Sequence, residues 1–274
     1  MDARQLWLRF EPYHDVTYFT PESRAATDAL GCKGGWMGYF GMRAAPLGAA
    51  SPELVTAVFY NFAPRMVARA LPDAWAVASP ESYLRVRLSG VDGALRRMLG
   101  DIDTPEIREA ASLAREAALA VCVAGRPLAA ANRALPWPVE PHLALWHACT
   151  ILREARGDGH VAALVAHGVG PCQALALYAR EHSLDPAYMR AARGWTVEEW
   201  DAVADLPGDL AAVERATDSA AALPWEVLGE GPTSRFIDLM TPLALRIASA
   251  NEAMRVNQMA LDPVRELAVP GWNT

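Results

Sequence analysis

Seven times along this chain a helix-capping side chain is followed directly by proline: Thr20-Pro21, Ser51-Pro52, Ser79-Pro80, Thr104-Pro105, Asp185-Pro186, Thr241-Pro242 and Asp262-Pro263. In the first four an acid comes next, Glu22, Glu53, Glu81 and Glu106. The capping oxygen accepts a free N–H of the first turn, and proline needs no donor there. The carboxylate meets the positive end of the helix dipole. Thr196-Val197-Glu198-Glu199 adds a capping box. No run of alternating apolar and polar residues is long enough for a useful strand. The expected fold class is all-α.

These signals predict helices from residue 3 to residue 267. Breaks are expected at Gly157 and Gly159, with Asp158 as an N-cap, and before Pro224. Gly125-Arg126-Pro127 ends one helix and forbids its continuation, and residues 125–141 hold four prolines. The chain therefore reads as an N-terminal half, 1–124, a linker, 125–140, and a C-terminal half, 141–274. Glu11-Pro12 followed by Tyr18-Phe19 and Arg24 parallels Glu140-Pro141 followed by Trp146-His147 and Arg153. The two halves are thus expected to be pseudo-repeats.

With 52% apolar residues the chain can bury a full core. Its net charge is −7 and Lys33 is the only lysine, so avid non-specific binding to nucleic acid is not expected. No apolar run reaches the length of a membrane span, and Met-Asp-Ala-Arg-Gln does not open a signal peptide. A cytoplasmic protein without a membrane partner is expected. Cys32, Cys122, Cys149 and Cys172 form no CxxC pair and read as small buried residues.

The densest chemistry runs from Glu140 to His160. His142 and His147, five apart, point about 140° away from each other on one helix. His142 and His160 would be roughly 27 Å apart on an unbroken one. No local metal spacing exists, and a metal would need histidines from both halves, such as His14 with His142 or His160. His14, His142 and His160 are the acid–base candidates, since imidazole titrates near neutrality.

Trp36, Tyr39, Phe40 and Arg43 recur at helical spacing in a stretch with Gly34, Gly35, Gly38 and Gly41. So many glycines imply close helix packing or a ligand against the backbone. A ligand pocket would draw on Tyr18, Trp36, Tyr39, Tyr60, Asn61 and Trp146, with Arg43 holding an anion. No Walker loop, GxGxxG or GxSxG motif is present, and no cofactor is evident.

Several stretches together resemble an actinobacterial family labelled helix-turn-helix and of uncertain function. They are Trp36-Met37-Gly38-Tyr39-Phe40 with Arg43-Ala44-Ala45-Pro46-Leu47-Gly48, Val55 to Phe62, Glu140 to Trp146, Arg156 to Leu164, and Arg193-Gly194-Trp195 with Glu198-Glu199-Trp200. The resemblance implies winged-helix-like elements, with a helix-turn-helix-like segment at 171–205. Such proteins continue into a strand pair after the Glu-Glu-Trp helix. Here Asp201 to Leu206 leads straight to Pro207-Gly208-Asp209, so the wing is expected to be reduced or absent.

Three functions are compatible with these residues. The first is an enzyme of bacterial specialised metabolism with a pocket between the halves and histidine assistance to an elimination, cyclisation or isomerisation. The second is a ligand-responsive regulator, with Arg180, Arg190 and Arg193 on DNA phosphates or bases. The third is a non-catalytic sequestering protein. The missing wing and acidic charge favour the pocket readings over DNA. A homodimer is compatible with all three.

Overall fold

Six of the seven capped prolines open helices in the computed structural model, which describes residues 2–251, 253, 259 and 261–267. The helices are α1 (Ala3–Asp15), α2 (Pro21–Leu30), α3 (Gly35–Ala44), α4 (Pro52–Phe59), α5 (Pro64–Val77), α6 (Pro80–Leu99), α7 (Pro105–Ala120) and α8 (Pro127–Arg133). After them come α9 (Pro141–Ala166), α10 (Pro171–Glu181), α11 (Pro186–Arg193), α12 (Val197–Asp201), α13 (Leu210–Leu228), α14 (Glu230–Ala250) and α15 (Pro263–Glu266). No strand occurs among the described residues, and the fold is all-α. Thr241-Pro242 is the exception to the capping rule. It lies inside α14, where the Thr241 hydroxyl donates to the Ile237 carbonyl and accepts from Arg9.

α9 is the axis of the molecule, packed by α1, α7, α8 and α13. Its middle, Leu145 to Leu152, is buried on every side, as a central helix must be. Ala110, Ala114, Ala117 and Ala118 give α7 a smooth face against it. Phe10, Tyr13, Leu95, Ile107, Trp225 and Phe236 complete a core to which both sides of residues 125–140 contribute.

Two predicted breaks are absent. α9 runs through Gly157-Asp158-Gly159 without interruption, held by the helices packed along it. A Cβ on Gly159 would stand 3.8 Å from that of Ala220. Asp158, expected to cap its own helix, instead accepts the Ala129 N–H at 3.0 Å and so caps α8 from outside. Burial pushes its carboxyl up to about 7. α13 likewise passes through Pro224. The Ala220 carbonyl, which Pro224 cannot bond, accepts from Arg126 at 3.2 Å.

The glycines of α3 serve packing. A Cβ on Gly38 would fall 2.8 Å from Thr27, and one on Gly41 would fall 2.4 Å from the Tyr83 ring. Tyr83 cannot retreat: it is fully buried, and its hydroxyl bonds the Ala74 carbonyl. Gly41→Ala is expected to destabilise by about 1–3 kcal/mol in urea titration. Gly231→Ala, whose added methyl meets nothing within 4 Å, should be neutral or mildly stabilising.

Candidate functional site

The end of α1 presents Trp7, Glu11, His14, Asp15 and Tyr18 at spacings of three and four, on one face of the helix and its continuation. α9 does the same with Arg153, Arg156, Gly157 and His160. These faces meet Tyr39 and Arg43 of α3, the Phe59–Phe62 segment, Arg193 of α11 and Glu214 of α13 around a cavity of about 220 Å³. That is room for a small molecule rather than a single water. Tyr60, at the bend after α4, has φ 51°, a conformation rare for a non-glycine residue and common at functional sites.

Of the predicted residues, His14, His160, Tyr18, Tyr39, Arg43, Tyr60 and Asn61 line this cavity. His142, Trp146 and Trp36 do not. His142 is buried elsewhere, with Nε2 2.6 Å from Asp92 Oδ1 of α6, and α9 carries it to the far end from His160. Trp146 is a core residue whose Nε1 donates to Thr17 Oγ1 at 2.9 Å and whose ring lies under Arg87. Trp36 packs edge-on against Tyr39 and Phe62 with 38% of its surface exposed. Asn61 does not cap α5, whose N-cap is Ala63.

The polar wall is a chain of ion pairs. Glu154 of α9 receives Arg43 through Nε and Nη2, both at 3.0 Å, and Arg153 at 2.9 Å. Arg153 also reaches Glu11 at 3.2 Å, and Glu11 accepts the Trp7 indole at 2.6 Å. Burial opposes ionisation of Glu154, but Arg43 and Arg153 outweigh it and hold the carboxyl well below the usual range. The third donor of Arg43, Nη1, is taken by the Tyr39 hydroxyl at 3.0 Å. Three of the five N–H groups of Arg43 are thus engaged within the protein, and its charge is matched by Glu154.

A second group of side chains is under-used. His14 Nδ1 lies 3.1 Å from Thr150 Oγ1, while its Nε2 is buried without a partner. Burial and the charge of Arg153 push the His14 imidazolium form down, leaving a neutral ring. Beside it Asp15 has an unpartnered Oδ2, and burial together with Glu11 pushes its carboxyl well above the usual range. Asn61 Oδ1 and Arg193 Nε are also buried without partners. Four of the eight such side chains among the described residues belong to residues that line this one cavity.

His160 Nδ1 lies 3.0 Å from Thr217 Oγ1 and 3.7 Å from Glu214, and burial pushes its pKa down. Among the described residues no three His, Cys, Asp or Glu side chains are grouped to hold a metal ion. Cys32, Cys149 and Cys172 are buried, whereas Cys122 is exposed.

Glu11, Asp15, Arg153, Glu154 and Arg193 are absent from the sequence-predicted site. Glu11, Asp15 and Arg153 carried a signal, the three-and-four spacing along α1 and α9, whereas Glu154 lies beside that face. Arg193 carried none, and expecting it on DNA was wrong about its direction: its guanidinium lies 4.6 Å from the Phe62 ring centre and lines the cavity. Of the other two proposed DNA contacts, Arg180 donates to the Ala204 carbonyl and Arg190 is half-buried on α11.

α10 and α11 form a helix-turn-helix whose turn includes Ser183 at φ 53°. The exposed face of α11 is Pro186, Ala187, Tyr188 and Ala191, and the chain passes from α12 to α13 without a strand. No single helix among the described residues is long and apolar enough to cross a membrane. A family model described as a helix-turn-helix family matches residues 3–207, which covers every wall of the cavity except those of α13 and Met259. No curated protein and no solved structure matches the chain.

Proposed function

The chain belongs to the helix-turn-helix family, and we propose that in this member the helices serve first to enclose a small molecule. The protein is read as a cytoplasmic ligand-binding protein acting as an enzyme of bacterial specialised metabolism, and the sequence resemblance adds only an actinobacterial setting. The observation that carries this reading is that four residues with unpartnered buried polar atoms, His14, Asp15, Asn61 and Arg193, line one aromatic cavity. His14, neutral with a free nitrogen, suits a general base. Asp15, biased toward its protonated form, suits a general acid. Opposite shifts of neighbouring groups support proton transfer on the bound molecule, as in an isomerisation, elimination or cyclisation.

A thermal-shift screen of aromatic and carbonyl fragments tests the reading. A bound fragment at a hundred times its Kd adds about 2.7 kcal/mol, a rise of several degrees in Tm. Val58→Trp, at the cavity wall, is expected to abolish these shifts. Shifts that survive in Val58→Trp, or a screen without hits, would count against a ligand in this cavity.

A ligand-responsive regulator is the second reading, favoured by how the helix-turn-helix is tied to the cavity. The Arg193 carbonyl accepts from Ala63 N–H at 2.8 Å, the Trp195 indole donates to the Asn61 carbonyl at 2.9 Å, and Arg65 pairs with Glu199. A gel shift with the adjacent promoter, with and without a screening hit, distinguishes it. On α11 Arg190 is half-buried and Arg193 lines the cavity, so few charged donors are presented outward, which supports the enclosed-ligand reading.

A further inference from the structure

The cations of the cavity wall are matched to carboxylates, with one exception. Arg43 and Arg153 share Glu154 and Glu11, Arg156 pairs with Asp218 and Glu214, and Arg4 lies 3.8 Å from Glu266. Arg193 has no ion-pair partner among the described residues, donates no hydrogen bond there, and has a buried Nε. An aromatic face returns only part of what a guanidinium loses on leaving water. Arg193 is half-buried and only its Nε is closed to water, so an anion on its outer fork would complete the pairing that the other cavity arginines have, and one unpaired cation is matched by one negative charge.

The shape of the anion follows from the residue that would hold it. A guanidinium presents a planar fork that a carboxylate fits with two parallel hydrogen bonds. The surrounding wall, Tyr18, Tyr39, Phe59 and Phe62, is aromatic and suits a flat ring. Arg43 is the weaker candidate, since its charge is already matched by Glu154 and all three of its nitrogens donate within the protein. We propose that the cavity takes an aromatic monocarboxylate, its carboxylate on Arg193 and its ring against Tyr39 and Phe62. This rests on the small-molecule reading above and names its ligand class.

Titration calorimetry of the full chain with 4-hydroxybenzoate and its neutral isostere 4-hydroxybenzamide tests the assignment. The acid is expected to bind at least tenfold tighter than the amide. Arg193→Gln should abolish that preference, Arg193→Lys should keep part of it, and Arg69→Gln, at an exposed arginine, should leave it intact. Circular dichroism of each variant separates a lost site from a lost fold. Equal binding of acid and amide by the unaltered protein, or a preference that survives Arg193→Gln, overturns the carboxylate assignment and leaves the cavity reading standing. Failure of both probes while the fragment screen gives hits overturns the aromatic-acid class alone. Failure of both probes together with a screen without hits removes both proposals.

Discussion

Glu154→Ala is expected to lower the unfolding free energy by about 3–5 kcal/mol, or to prevent folding altogether. The carboxylate is 1% exposed and holds two guanidinium groups, Arg43 from α3 and Arg153 from its own helix. Its removal leaves Arg43 buried over the Phe59 ring without a counter-ion and brings two like charges face to face. The loss exceeds the net worth of the pair, because the stranded charges carry most of the penalty. Glu154→Gln keeps the volume and one acceptor and should fall between the two proteins. Urea titration followed by tryptophan fluorescence measures all three. A change below about 1 kcal/mol would mean that water reaches the network and screens it. The network is also robust to pH. With the Glu154 carboxyl held well below its ordinary value, its contribution is present above that ordinary value and is lost only in strong acid.

Moderate acid should weaken the protein through a different residue. His147 is 2% exposed, its ring stands edge-on 4.7 Å from Trp137, and Nε2 has no partner. Burial, with Arg87 and Arg115 nearby, pushes its pKa down to about 4. The sign follows directly. Below the ordinary histidine value, 6.5, the unfolded chain binds a proton that the folded protein refuses. Stability is intact above that value, falls by about 1.4 kcal/mol per pH unit on acidification, and levels off near pH 4. This one residue accounts for about 3 kcal/mol across the window, and His14 and His160, shifted the same way, add to it. His147→Phe should remove its share of the slope and stabilise the protein at pH 5 relative to the unaltered chain. Parallel stability-versus-pH curves for the two proteins would exclude the assignment.

The residues that form the cavity were partly within reach of the sequence. Trp7, Glu11, His14, Asp15 and Tyr18 share a face by spacing alone, as do Arg153, Arg156 and His160. That face was legible as polar, not as buried. Arg43 and Glu154 are 111 positions apart, and nothing local to either indicates that they meet. The roles expected of Arg43 on a ligand anion and of Arg193 on DNA share one weakness. Each assigned a direction to a long side chain whose direction is set by its neighbours. Trp146 and His142 failed for a related reason: aromatic and imidazole groups serve a core as readily as a site.

The sequence by itself determined the helical class and nearly all the helix starts, because capping acts within three or four residues. For the costly glycines of α3 it left close packing and a ligand against the backbone both open, and the contacts of Gly38 with Thr27 and of Gly41 with Tyr83 decided for packing. Only the tertiary structure decided that α9 continues through Gly157 and Gly159, that Asp158 caps another helix, and which arginine is left without a partner. Those outcomes depend on burial and on charges brought together from distant positions. Burial offsets the local cost of glycine, and an ion pair gains its strength from the water its neighbours exclude.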